Sequence, residues 1–243
     1  MPDYMLMVLE NETEHAAQSP AAMAGLIEQR ARFVGRLRSA GQLRDHGRFR
    51  PSREGKRARR HGARLEVEGS PFAQAGKDGK EDAKALGAFY WVQAATVEEA
   101  TQLAIECPAL ASDQIDVRPV MKGRGDPDKE AKPGKIFGFV VLGNALSENQ
   151  WVDVMDRIDA ETSVNLPDSF LGGVRLEPPT SGRRVETRGG RRAMFDGPFL
   201  ESKEVIGGLF FVRVTSHDDA LRWFADSRHG VHGAIEIREL WRS

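Results

Sequence analysis

Cysteine is almost absent from this 243-residue chain. Cys107 stands alone, so no intrachain disulfide can form and no cluster of thiolates can hold a metal. A charge of one sign is missing too: 35 Lys and Arg answer 36 Asp and Glu, which argues against a globally basic nucleic-acid binder. No apolar run approaches the roughly 18 residues of a membrane span. Met1-Pro2-Asp3-Tyr4 lacks a charged segment leading into a long apolar stretch. The expectation is a cytoplasmic protein with no membrane partner. What is present suffices for folding, since 40% of residues are hydrophobic and two units of about 120 residues would each bury a usable core.

The sequence repeats itself. Ile115-Asp116-Val117-Arg118 returns 120 residues later as Ile235-Glu236-Ile237-Arg238, and Thr96-Val97-Glu98-Glu99-Ala100 returns as Ser216-His217-Asp218-Asp219-Ala220. The aromatic strand from Gly87 to Val92 matches Gly208 to Arg213 at an offset of 121, and Ser70-Pro71-Phe72 matches Gly197-Pro198-Phe199 at 127. Between the halves, residues 122–135 carry charges, Gly and Pro around a single apolar Ala131, which reads as an exposed linker. The expected organisation is 1–121, linker 122–135, and 136–243.

Each half shows the same succession of periods. Tyr4–Leu9 and Ile136–Leu142 are apolar runs of strand length. Ser19-Pro20 caps a helix whose stripe of Leu26, Ile27, Phe33, Val34 and Leu37 is interrupted by Arg30, and Gly41 ends it. Ser147 and Gln150 form a capping box ahead of Trp151, Val154, Met155 and Ile158. A polar hairpin, a second capped helix and a closing strand follow, giving β-α-β-β-α-β, the ferredoxin-like unit. One face of such a sheet has no helices and needs a cover. The expected fold is therefore α+β, two ferredoxin-like units packed sheet to sheet in one chain as a barrel or sandwich. It would act as a monomer with a pseudo-dimeric core or as a homodimer.

Asp196-Gly197-Pro198-Phe199, followed by Glu201, Lys203, Glu204 and Gly207-Gly208, resembles the signature of the DGPF group of the YCII-related family. The aromatic strand 209–212, the helix opening at Ser216 and Glu236-Ile237-Arg238 fit the family order, and the first half matches more weakly. The resemblance implies a dimeric α+β barrel, here from two fused copies. Shorter YCII-like proteins are thought to use a His on the first helix with a nearby Asp, in lyase or dehydrochlorinase-type chemistry. Residues 20–39 and 147–159 contain no His. Some DGPF proteins occur beside extracytoplasmic-function sigma factors.

Asp196 is the carboxylate of most interest: a general base if buried, a turn cap beside Gly197 otherwise. Its counterpart in the first half is Gly69, so a site using it would be asymmetric. Arg175 and Arg238 are candidate anion partners, with Phe199, Glu201 and Lys203 at a pocket mouth. Arg118 repeats the position of Arg238, which favours a structural role for both. No histidine spacing or fingerprint implies a metal, flavin, haem or nucleotide. Residues 44–64 hold nine Arg or Lys against Asp45 and Glu54, a basic hairpin with Phe49 as its one aromatic, so nucleic acid is not the expected partner. Two readings follow. One is a small anionic or aromatic ligand in the inter-sheet cleft, with cofactor-independent lyase or isomerase chemistry. The alternative is a non-catalytic regulatory module, linked to a sigma factor or another acidic partner through its basic hairpins. The sequence does not decide whether the chain is an enzyme.

Overall fold

The computed structural model describes residues 1–61, 64–68, 84–125, 133–144, 151, 153, 168–196, 204–226 and 234–241. The first six strands are β1 (Asp3–Asn11), β2 (Leu43–Phe49), β3 (Lys56–His61), β4 (Arg64–Glu68), β5 (Lys84–Gln93) and β6 (Gln114–Gly125). Next come β7 (Lys135–Asn144), β8 (Phe170–Leu176), β9 (Arg183–Arg188), β10 (Arg191–Asp196), β11 (Glu204–Val214) and β12 (Ala234–Trp241). The helices are α1 (Glu12–Ala17), α2 (Pro20–Ser39), α3 (Val97–Glu106) and α4 (His217–Asp226). The class is α+β, with antiparallel sheet predominating.

Local signals behave as their chemistry requires. Ser19 caps α2 by accepting the Ala22 N–H at 3.2 Å, with Pro20 in the first turn, and Gly41 leaves the helix at φ +67°. Thr96 and Ser216 cap α3 and α4 through the N–H groups of Glu99 and Asp219. The Ser147–Gln150 box lies outside the described residues, as do Val154, Met155 and Ile158. Strand β6 runs to Gly125, inside the segment expected as a linker.

Two compact units form, and they differ from the sequence halves by one exchange. Unit 1 comprises Met1–Arg48, Ala73–Val120 and Pro179–Glu201; unit 2 comprises Phe49–Phe72, Met121–Pro178 and Ser202–Ser243. Each half thus contributes one hairpin to the unit built mainly from the other half. In unit 1 the pairing runs β2–β5–β1–β6 and continues through β9 to β10. In unit 2 it runs β8–β11–β7–β12 and continues through β3 to β4. The first four strands of each series have the ferredoxin-like order.

Register fixes which residues of the two units correspond. Where β1 meets β5, Val8 faces Ala88 and Leu9 faces Leu86, so Gly87 is bulged. Where β7 meets β11, Val141 faces Gly208 and Leu142 faces Ile206, so Gly207 is bulged. These glycines are 120 residues apart, which corrects the expected offset of 121 for this strand. A slip of one residue would turn every side chain to the other face. Tyr90 therefore corresponds to Phe210, and Glu10, two residues after Val8, corresponds to Gly143. His46 faces Tyr90 as Gly173 faces Phe210, and Arg48 faces Ala88 as Arg175 faces Gly208. The exchanged hairpins keep the offset of 127: Arg184 faces Asp116 and Arg57 faces Glu236.

The core of unit 1 packs Tyr4, Leu6 and Val8 with Phe33, Leu37, Tyr90 and Leu103. Unit 2 buries a ring of aromatics instead. Phe139 stacks on Phe210 at 4.6 Å and meets Trp223 at 5.5 Å, beside Phe224 and Ile237.

Candidate functional site

On β1 the alternation Tyr4, Leu6, Val8 points a row of apolar side chains at α2, and the next member of that row is Glu10. A carboxylate there needs a partner, because water is excluded. Leu26, Arg30, Phe33 and Leu37 form the buried stripe of α2, and Arg30 is the partner. Its Nη2 lies 2.8 Å from Glu10 Oε1, and its Nε donates to the Pro108 carbonyl at 3.2 Å. The arginine is only 3% exposed. Gly87 leaves the room this pair requires, since a Cβ there would overlap the Glu10 carboxylate.

Asn11 ends β1 and caps α1, its side chain accepting the Glu14 N–H at 3.2 Å. That short helix presents His15. The turn after α3 brings up Asp113, whose carboxylate accepts backbone N–H groups of Leu110 at 2.8 Å and Asn11 at 3.3 Å. Both Asp113 oxygens lie 3.0 Å from His15 Nε2, so Nε2–H donates to a carboxylate whose side chain is fully buried. Nδ1 is left on the side of Glu10, 4.0 Å from Oε2. Burial opposes the charged imidazole, yet the Asp113 hydrogen bond and the charges of Glu10 and Asp113 outweigh it and raise the His15 pKa.

The same pocket of charge reaches β2 and β5. Tyr90 packs edge-on against Phe33 at 5.1 Å and parallel to His46 at 6.4 Å. Burial pushes its phenol pKa up, and burial pushes the Cys107 thiol up to about 12, so both stay protonated. Half-buried Arg48 is held below the usual guanidinium value by desolvation and by the charge of Arg30, and remains a cation. Among the described residues no group of three His, Cys, Asp or Glu is arranged to hold a metal ion. No described helix is long and apolar enough to cross a membrane.

Arg192 of β10 holds the neighbouring corner. Its guanidinium donates to the carbonyls of Ile105 at 2.9 Å, Ala109 at 3.1 Å and Cys107, at the end of α3. A residue of the second half thereby caps a helix of the first.

The residues expected to form one site fall in different places. Asp196 is the last residue of β10, opposite Arg183 in unit 1. Arg175 and Arg238 belong to unit 2. Arg175 lies on β8; Arg238 is 1% exposed, 2.9 Å from Glu236 and above the Phe49 ring at 4.8 Å. Gly55 makes room for the Arg238 stem as Gly182 does for Arg118, where a Cβ would fall 2.6 Å from either side chain. Phe199, Glu201 and Lys203 lie outside the described residues. In the basic hairpin, the register sets Arg57 opposite Glu68 and Arg59 opposite Glu66, two acids beyond the window 44–64.

Sequence reasoning passed over Glu10, His15 and Asp113. Arg30 interrupting an apolar stripe was the one visible signal. His15 lies ahead of the helix 20–39, and its partner is 98 residues away.

The profile of the YCII-related domain matches residues 146–243. An uncharacterized protein, R00369, of Rhizobium meliloti (strain 1021) is 30% identical over 100 residues, which is 40% of this chain and 81% of that protein. The chain belongs to the YCII-related family. Among solved structures, a chlorite dismutase-like protein is similar with a TM-score of 0.40 and 11% identity, covering 100% of this chain and 96% of that one. An anthrone oxidase-like protein follows with a TM-score of 0.37 and 12% identity, covering 99% and 92%. Likeness at this level carries no functional inference.

Proposed function

We propose that unit 1 carries a cofactor-independent acid–base site for a small organic molecule, with lyase or isomerase-type chemistry, and that His15 is its base. The observation that carries this reading is the His15–Asp113 pair beside the buried Glu10–Arg30 pair. With Nε2–H committed to Asp113, the neutral imidazole takes a substrate C–H proton on Nδ1, and Asp113 steadies the cation that results. The proton then returns to another substrate atom, or leaves with a departing group.

The test is a thermal-shift screen of small carboxylates, phenols and lactones against the natural protein, His15→Asn and Asp196→Asn, followed by proton NMR of each hit in D2O. The expected result is deuterium incorporation catalysed by the natural protein and by Asp196→Asn but lost in His15→Asn. Incorporation lost only in Asp196→Asn would transfer the role of base to Asp196. No incorporation with any hit would overturn the acid–base reading.

A further inference from the structure

Arg30 satisfies only part of its fork. Nε donates to the Pro108 carbonyl and Nη2 lies in ion-pair contact with Glu10, but Nη1 and Nη2 are both buried with no well-formed hydrogen bond to an acceptor among the described residues. A guanidinium edge that is out of water and without an acceptor is costly. The side chain is 4% exposed, so solvent does not supply the acceptor.

The surroundings say what would supply it. Tyr90 and His46 face each other across β5 and β2, and Arg48 follows His46 on the same face, two residues along. Phe33, one helical turn after Arg30, covers Tyr90. Half-buried Arg48, opposite Ala88, adds a second positive charge at the same end of the sheet. Two cations around one unmatched donor edge suit an anion. Glu10 already lies along the Nη2 side, and a dianion such as phosphate would be repelled by it about twice as strongly as a singly charged carboxylate. Tyr90, Phe33 and Val8 give the neighbourhood an apolar wall.

We propose that Arg30 Nη1, with Arg48 at the outer side, binds the carboxylate of a small organic acid with an apolar body. The proposal deepens the acid–base reading, whose substrate would then be a carboxylate. It places the carboxylate on Arg30 and the reacting carbon toward His15 Nδ1. Among the described residues unit 2 repeats only the Arg48 position, as Arg175, while Tyr90 and Glu10 correspond to Phe210 and Gly143.

Benzoate is the probe, with phosphate and chloride at matched ionic strength as comparisons. In the natural protein benzoate should bind saturably by calorimetry and raise the melting temperature, while phosphate and chloride should not. Arg30→Gln should weaken benzoate roughly tenfold or more, as the loss of a charge-assisted hydrogen bond does, and exposed Arg32→Gln should leave it unchanged. Because Arg30→Gln removes a buried ion-pair partner, a second readout uses the natural chain alone. Cys107 is fully buried beside Tyr90, so bound benzoate should slow its reaction with a thiol reagent where chloride does not. Benzoate that neither binds nor protects Cys107 overturns the proposal, as does undiminished binding by a folded Arg30→Gln. The two readings fail separately: benzoate binding kept with deuterium incorporation absent in every protein would sustain the carboxylate site and sink the acid–base chemistry.

Discussion

The two units share a frame and differ in what they put at one end of it. Both bulge a glycine, Gly87 or Gly207, at the same point of the central strand pair. Both cap the following helix with a hydroxyl, Thr96 or Ser216. Both bury an arginine on the closing strand, Arg118 or Arg238, under a glycine of the exchanged hairpin. Features that recur in this way serve folding. Where the frame is repeated but the side chains are not, unit 1 has Glu10, His46 and Tyr90, and unit 2 has Gly143, Gly173 and Phe210. Burying charge at one end of unit 1 is unfavourable unless it is paired, and in unit 2 the strand position of Glu10 is filled by the uncharged Gly143.

The largest effect expected from breaking this comparison is at Arg30. Arg30→Met leaves Glu10 buried without its partner and should cost about 3–5 kcal/mol in urea denaturation. Adding Glu10→Leu should recover most of that, since unit 2 shows an uncharged residue suffices there. The next effect is steric. Gly87→Ala drives a methyl into the Glu10 carboxylate and should cost about 1–3 kcal/mol. Gly143→Ala meets nothing within 4 Å and should be neutral or stabilising by about 0.4–1 kcal/mol. Equal costs at the two positions would mean that the Glu10 carboxylate does not crowd Gly87.

Helix caps should behave alike in both units, Thr96→Ala and Ser216→Ala each costing about 1 kcal/mol. The histidines should not behave alike. His15 has its pKa raised in the folded chain, so its stabilisation is complete below the ordinary 6.5 and is lost as pH rises through the raised value. Burial first, then the charge of Lys56, lowers the pKa of His217, which packs edge-on against Phe137 at 4.7 Å. Its folded form disfavours the proton, so stability falls as pH drops below 6.5 toward the lowered value. Stability-against-pH curves for His15→Asn and His217→Asn should therefore lose slopes of opposite sign.

Local chemistry made much of the fold legible. Ser19-Pro20, Gly41, Thr96 and Ser216 each act within four residues of themselves, and strand periods show in short windows. The hairpin exchange did not show, because which strand receives Lys56–His61 is decided by a pairing about 180 residues away. The aromatic strand was misaligned by one residue because its neighbours are apolar on both faces, and only the bulged glycine settles the register. Of the site, Arg30 alone was visible, as a break in a stripe. Asp113 and His15 meet through a turn and a one-and-a-half-turn helix, neither of which carries a periodic pattern. Asp196 drew attention through its motif, and the structure sets it on the strand that also supplies Arg192 to unit 1.

The most direct test of the claim that unit 1 holds a poised acid–base pair is an NMR titration of the His15 imidazole in the natural protein and in Asp113→Asn. The account predicts a pKa above the ordinary 6.5 that falls in Asp113→Asn, with the ring nitrogen shifts showing Nε2 protonated in the neutral form. A His15 pKa at or below 6.5 that ignores the Asp113 substitution would contradict it.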